Sequence, residues 1–304
     1  MNMMNFKEFC NAVADDIAGY LPQDFEVKNI SLQDVAKNNE TLTGLVIMGT
    51  SNVCPNIYLN GFYEKYKNGT SYEDILEQIA DLRVNADIPD SFDIENIRDF
   101  ENVSCKIIPR VVSIEGNTEL LIDRPYVQMA DLAVTFAILL DDNDMFANAG
   151  TGSIPVSESI LEMWDMTAED LYSYAVKNIR NTSTFRGMTE VMMEMMDDFP
   201  AEMMSAPEDE RMFVISNNRK LFGAAALCDK EFMADVINKM DGKDFFILPS
   251  SVHECLAVVV DDNNEEIENL RNIVRDVNDT QVVPAERLSY SVYKYTMENG
   301  LQVA

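Results

Sequence analysis

Basic residues are scarce in this chain. Lysine and arginine number 23 against 53 aspartates and glutamates, a formal net charge of −30 with the single histidine neutral. No stretch gathers the cations; Arg211 with Arg219 and Lys220 comes nearest. Nucleic acids are held by clustered Lys and Arg that displace phosphate counterions, so this balance argues against nucleic acid as a ligand and equally against anionic membranes. A surface this negative repels other anions and favours solubility. It suits a basic protein partner or, at the extreme, imitation of the charge of DNA. Long apolar runs are missing as well. The longest, residues 133–140, is bracketed by Asp131 and Asp141, far short of the ~20 residues of a membrane-spanning helix. The first residues show no apolar core before a small-residue cleavage site. Paired cysteines are missing too: Cys10, Cys54, Cys105, Cys228 and Cys255 form no CxxC and are odd in number. That scatter fits reduced thiols in a cytoplasm rather than a disulfide framework, and a cytoplasmic location is expected.

What is present is a folded chain of 304 residues, 47% apolar and 25% charged, long enough for one large or two modest domains. Phe6, Phe9, Cys10, Val13 and Ile17 recur at helical spacing, with Gly19 and Pro22 as stop signals. Residues 25–32 and 41–48 read as a hairpin across the polar turn at 37–40. Thr70 with Glu73 forms a capping box before Ile75, Leu76, Ile79 and Leu82. Residues 89–93 supply a boundary, giving an N-terminal helix–hairpin–helix α+β region over 1–92 and a main α+β domain over 93–304. In the latter, strands are expected at 103–112 and, fully buried, at 130–140, then an acidic loop at 141–153. Helices follow at 157–164 and from Thr167, whose capping partner is Asp170. A methionine-rich connecting segment lies at about 185–210. Beyond it come strands at 212–216, 223–227, 245–248, 255–260 and 289–295, with helices at 230–240 and 265–277, the last turning Ile267, Leu270, Val274 and Val277 inward. The fold class is α+β, with mixed or antiparallel sheets, helices packed on one side and two sub-domains.

Motifs of known chemistry match poorly. Gly150-Thr151-Gly152 lacks the third glycine of a dinucleotide loop, and Pro155 intervenes. Asp142-Asn143-Asp144 and Asp262-Asn263-Asn264 lack the sixth-position glycine of a calcium loop, which leaves Asp141, Asp142 and Asp144 as a loose carboxylate set for a divalent metal or a solvated turn. No cofactor is expected. The lone His253 stands beside Ser250, Ser251, Glu254 and Cys255, so a Ser or Cys nucleophile with a histidine base is the one catalytic arrangement to test, against a turn histidine held by hydrogen bonds. Met192, Met193, Met195 and Met196 belong to the methionine-rich run, and methionine adapts to irregular partners, as a contact surface or as a loose core strap.

Several segments together resemble an uncharacterised bacterial family, the domain of unknown function numbered five-six-eight-eight. They are Leu42-Thr43-Gly44-Leu45 followed by Pro55-Asn56-Ile57-Tyr58-Leu59 and Phe62-Tyr63; Ile154-Pro155-Val156 leading to Trp164 and Leu171; Gly223-Ala224-Ala225; Ile247-Leu248-Pro249-Ser250-Ser251-Val252-His253-Glu254; and Val277-Asn278-Asp279-Thr280-Gln281-Val282. The resemblance implies no activity, cofactor or partner. It singles out residues 249–254 as a functional surface, while residues 188–204 depart from the pattern. The reading that results is a non-catalytic, acidic module that binds another protein. A hydrolase using His253 with Ser250, Ser251 or Cys255, or a carboxylate-held metal, is the alternative, and an acidic mimic of DNA that binds a basic protein is the second.

Overall fold

A computed structural model describes residues 3–50, 54–85, 95–139, 153–195, 210–240, 242–260 and 263–304. Its contacts divide the chain into two compact units, Met1–Asn96 and Ile97–Ala304.

The first unit opens with α1 (Phe6–Asp16), capped by a reciprocal Asn5–Glu8 box, and a 3₁₀ turn at Ile17–Tyr20. β1 (Asn29–Lys37) and β2 (Glu40–Met48) pair antiparallel, and β3 (Asn56–Tyr58) pairs with β2. The first strand of the hairpin therefore lies several residues later than the expected 25–32. Lys37 pairs with Glu40 across a two-residue turn with Asn39 at φ 56°, so pairing runs to the very turn. No residue of β1 is fully buried, which weakens its sequence signal. α2 (Leu59–Lys67) and α3 (Tyr72–Asn85) follow. The cap of α3 is Ser71 rather than Thr70: its hydroxyl accepts the Asp74 N–H at 3.1 Å. Phe9, Val13, Ile17, Leu45, Ile47, Leu59, Ile75 and Ile79 form the core.

The second unit begins within α4 (Glu95–Arg98) and continues through α5 (Phe100–Val103), β4 (Ile107–Ser113), β5 (Val127–Met129), β6 (Leu132–Leu139) and β7 (Ser153–Pro155). β6 is buried at all but its last position and pairs with β4, β5 and β7, the buried central strand expected there. α6 (Glu158–Met163) and α7 (Ala168–Ile179) start at Ser157 and at the Thr167–Asp170 capping box. Next come β8 (Ser183–Gly187), α8 (Met188–Met195), β9 (Met212–Asn217), α9 (Lys230–Lys239), β10 (Phe245–Leu248), β11 (Cys255–Val258), α10 (Asn264–Thr280), β12 (Tyr293–Thr296) and β13 (Gly300–Val303). The second sheet runs β13-β12-β10-β11-β9-β8. Every ladder among the described residues is antiparallel, and the fold is α+β.

Three expectations are corrected here. Residues 223–227 are not a strand but part of a buried 3₁₀ turn, Gly223–Cys228, whose small side chains let it press against β9. Val277 does not face inward; it is 38% exposed, while Asn278 is 1% exposed and donates from Nδ2 to the Ser289 carbonyl at 2.8 Å. The last strand starts at Tyr293 rather than 289 and continues through the tight turn before β13 as a hairpin. Asp131, beside the turn between β5 and β6, accepts the Ser291 hydroxyl at 2.5 Å and the Tyr293 hydroxyl at 2.6 Å, and so ties the four-stranded sheet to the six-stranded one.

Candidate functional site

The 249–254 turn joins β10 to β11. Ser251 fixes it: its hydroxyl oxygen accepts the His253 N–H at 3.0 Å and its own N–H reaches the Glu254 carbonyl at 3.0 Å, while the Val252 N–H bonds the Glu286 carbonyl at 2.8 Å. From β9 the Ser216 hydroxyl donates to the His253 carbonyl at 2.8 Å. Gly223 lies so close that an added Cβ falls 2.4 Å from both the His253 carbonyl oxygen and Ser216 Oγ. Only glycine admits this approach of backbone to backbone.

The neighbouring 217–222 loop is built on Asn217, whose Oδ1 accepts the N–H groups of Arg219 (3.1 Å) and Leu221 (3.3 Å) and whose Nδ2 donates to the Leu221 carbonyl at 2.8 Å. Lys220 and Phe222 are left-handed, at φ 53° and 55°, and each such residue costs about 1–2 kcal/mol. Phe222 is held there by His253: the Phe222 N–H donates to Nδ1 at 3.1 Å, and the two rings lie 5.5 Å apart. The neutral imidazole then carries its proton on Nε2, which stands 3.9 Å from Glu286 Oε1. On the Phe222 ring sits the Arg110 guanidinium, 3.8 Å from the centroid, with Nη2 donating to Ser153 Oγ at 2.6 Å. Arg110 Nε is buried without a hydrogen-bond partner, and burial lowers this guanidinium to about 10 from 12.5. Among the described residues no carboxylate pairs with it.

Ser250, Ser251, His253, Glu254 and Cys255 thus share one turn, yet among the described residues neither imidazole nitrogen is bonded to a hydroxyl or thiol. The Ser251 hydroxyl serves the turn, and the Ser250 hydroxyl reaches Glu254 Oε1 at 3.5 Å. Cys255 is fully buried, and burial, with Glu254 nearby, pushes its thiol far up, away from the thiolate a nucleophile needs. Among the described residues no three His, Cys, Asp or Glu side chains gather as metal ligands. Asp141, Asp142 and Asp144 lie outside the described residues. No helix among the described residues is long and apolar enough to cross a membrane.

Two clefts flank the loop. One, of about 160 Å³, is lined by Cys105, Ile108, Pro109, Leu139, Ile179, Phe222 and Ala226, with Asn217 and Arg219. The other, of about 260 Å³, is lined by Thr184 and Arg186 of β8, Val191 and Glu194 of α8, Ser216, Asn218, Lys220 and Glu254. Arg186 straps α8 down through Glu190 (2.9 Å) and Glu194 (2.8 Å), and its guanidinium holds Glu194 below the usual carboxylate range. Met192 is 46% exposed on this helix and Met193 is half-buried. The Met195 side chain and Met196 lie outside the described residues. The turn and the methionine-bearing helix, far apart in sequence, border one cleft.

The sequence pattern of one protein family runs through all of these elements, matching residues 6–297. The chain belongs to a family of unknown function (DUF5688). No curated protein and no solved structure matches it. In this DUF5688 chain the match takes in the 249–254 turn and every strand of the six-stranded sheet except β13. Sequence reasoning alone passed over Arg110, Ser216, Asn217, Phe222 and Glu286, all of which build the site. The one signal that pointed to them is the Gly-Ala-Ala-Ala run at 223–226, since consecutive small residues mark a close backbone approach.

Proposed function

We propose that this chain is a non-catalytic binding protein that takes a segment of another protein into the cleft bordered by the 249–254 turn, the 217–222 loop and α8. What supports this reading is that the one cleft draws on both the turn and the methionine helix, while the histidine holds a loop and, among the described residues, bonds no hydroxyl or thiol through its ring. Arg186 and Lys220 face Glu194 and Glu254 around it, so a segment bearing charges of both signs fits best. Met192, exposed on the same helix as the cleft-lining Val191 and Glu194, offers an adaptable apolar contact. A bacterial, cytoplasmic setting goes with this reading, supported by five cysteines that are all free thiols.

The test is capture of partners from lysate of the source cells on the immobilised chain, at low salt and at about 0.5 M salt, with Met192→Glu and Lys220→Glu in parallel. A stoichiometric partner that survives high salt and is lost with either variant is the expected result. A partner lost at high salt from the unaltered chain and unaffected by either variant points instead to charge mimicry. No partner above background overturns the proposal.

A further inference from the structure

We propose that His253 is a proton-operated latch on the 217–222 loop. The bond that holds Phe222 is accepted by a ring nitrogen, and Nδ1 accepts only while it keeps its lone pair. Protonation turns Nδ1 into a donor facing the Phe222 N–H, and the bond is lost. Phe222 is left-handed, so releasing its N–H removes one of the contacts that hold a costly backbone conformation.

The charged and titratable groups around the imidazole set which way it moves. From the 3₁₀ turn Pro284–Glu286, Glu286 Oε1 stands 3.9 Å from Nε2 and attracts an imidazolium. From β4, Arg110 stacks 3.8 Å from the centroid of the Phe222 ring, which the imidazole meets at 5.5 Å, and so opposes a second positive charge on the Phe222 side. Glu254, next in the turn, is directed to the Ser250 hydroxyl. From β9, the Ser216 hydroxyl donates to the His253 carbonyl, a group that does not titrate. The protonated ring is therefore drawn towards Glu286 and away from Phe222. Phe222 lines the 160 Å³ cleft, and Lys220 and Asn218 line the 260 Å³ cleft, so one proton loosens a loop that both share. The consequence for partner binding rests on the function proposed above; the latch itself does not.

The experiment follows the Phe222 amide by NMR hydrogen exchange, corrected for intrinsic rate, together with the imidazole resonances, from pH 8 to pH 5, the range in which histidines titrate. Three chains are compared: the unaltered one, His253→Asn, whose Oδ1 can take the place of Nδ1 but does not titrate, and His253→Ala. In the unaltered chain, protection of the Phe222 amide is expected to fall by about tenfold or more as the ring protonates. In His253→Asn it stays high throughout, and in His253→Ala it is low throughout. Unchanged protection after the ring has protonated overturns the proposal, as does a ring that stays neutral to pH 5 or an Asn variant that loses protection in step with the unaltered chain. Partner capture repeated at both pH values separates the two readings: an intact latch with no partner counts against the proposed function alone.

Discussion

A methyl group added at position 223 has nowhere to go. The Cβ of Gly223→Ala falls 2.4 Å from the His253 carbonyl oxygen, 2.4 Å from Ser216 Oγ and 2.8 Å from the Asn217 nitrogen. Ordinary contact begins near 3.4 Å, so the carbonyl has to retreat by about 1 Å. The serine hydroxyl can rotate aside, but the carbonyl cannot, because the turn is pinned by the Ser251–Glu254 and Val252–Glu286 bonds. Overpacking of this kind costs about 1–3 kcal/mol, and losing the Ser216–His253 bond adds about 1 kcal/mol. The expected destabilisation is about 3–4 kcal/mol, near the upper end because two of the three clashing atoms belong to the backbone. In a unit of this size that lowers Tm by about 10 °C. Trp164, the only tryptophan, is 9% exposed in the same unit and donates from Nε1 to the Ile97 carbonyl at 2.6 Å, so its fluorescence reports the melt directly. The double variant Ser216→Ala/Gly223→Ala removes only the clash that rotation already relieves and still lacks the Ser216–His253 bond, so it should recover less than about 1 kcal/mol. A Gly223→Ala melt within about 2 °C of the unaltered chain, or complete rescue by Ser216→Ala, would refute the reasoning.

Three further outcomes are expected. Maleimide labelling at pH 8 followed by mass spectrometry should modify the exposed Cys105 first, while Cys10 and Cys228, pushed up by burial to about 11 and about 12 from 9.0, resist until the chain unfolds. Because the folded state raises these two thiols, their contribution is complete below about pH 8.5 and is lost as pH climbs towards the raised values, so urea midpoints should fall from about pH 9 upward. At the start of α9, the fully buried Asp229 accepts the N–H groups of Glu231 and Phe232 through Oδ1 and Arg180 Nε through Oδ2 at 3.2 Å. Asp229→Ala should cost about 2–3 kcal/mol in urea denaturation and Asp229→Asn clearly less, since asparagine caps nearly as well; equal losses would show that the cap is not what the carboxylate supplies.

Elements whose cause is local were legible from the amino-acid order. The Thr167–Asp170 box starts α7, and the apolar run of β6 is buried at the centre of its sheet, because a cap or an uninterrupted apolar run acts within a few residues. Where the cause is distant, the pattern misled. Residues 223–227 form a short apolar run that reads as a strand, but it is the approach to His253, thirty residues on, that goes with their being a 3₁₀ turn. Val277 and Asn278 exchange inside and outside because Asn278 meets the Ser289 carbonyl, a partner that helical periodicity does not contain. The turn at 249–254 stood out by its crowd of polar side chains, yet the groups that give His253 its place, Phe222 and Glu286, lie 31 residues before it and well beyond it, and no spacing rule connects them.

The Asp131 pairing bears on how the chain folds. Its two hydroxyl partners lie 160 and 162 residues downstream, and β12, which carries one of them, sits between β10 and β13 in the six-stranded sheet. During synthesis the four-stranded sheet can form around β6 while its link to the other sheet still waits for residues not yet made. Contacts of such long sequence separation close a large loop before they return any stability, and they slow folding accordingly. Until β12 arrives, β10 presents an unpaired edge, and the nascent chain depends in that interval on its high negative charge to keep such edges from pairing with one another.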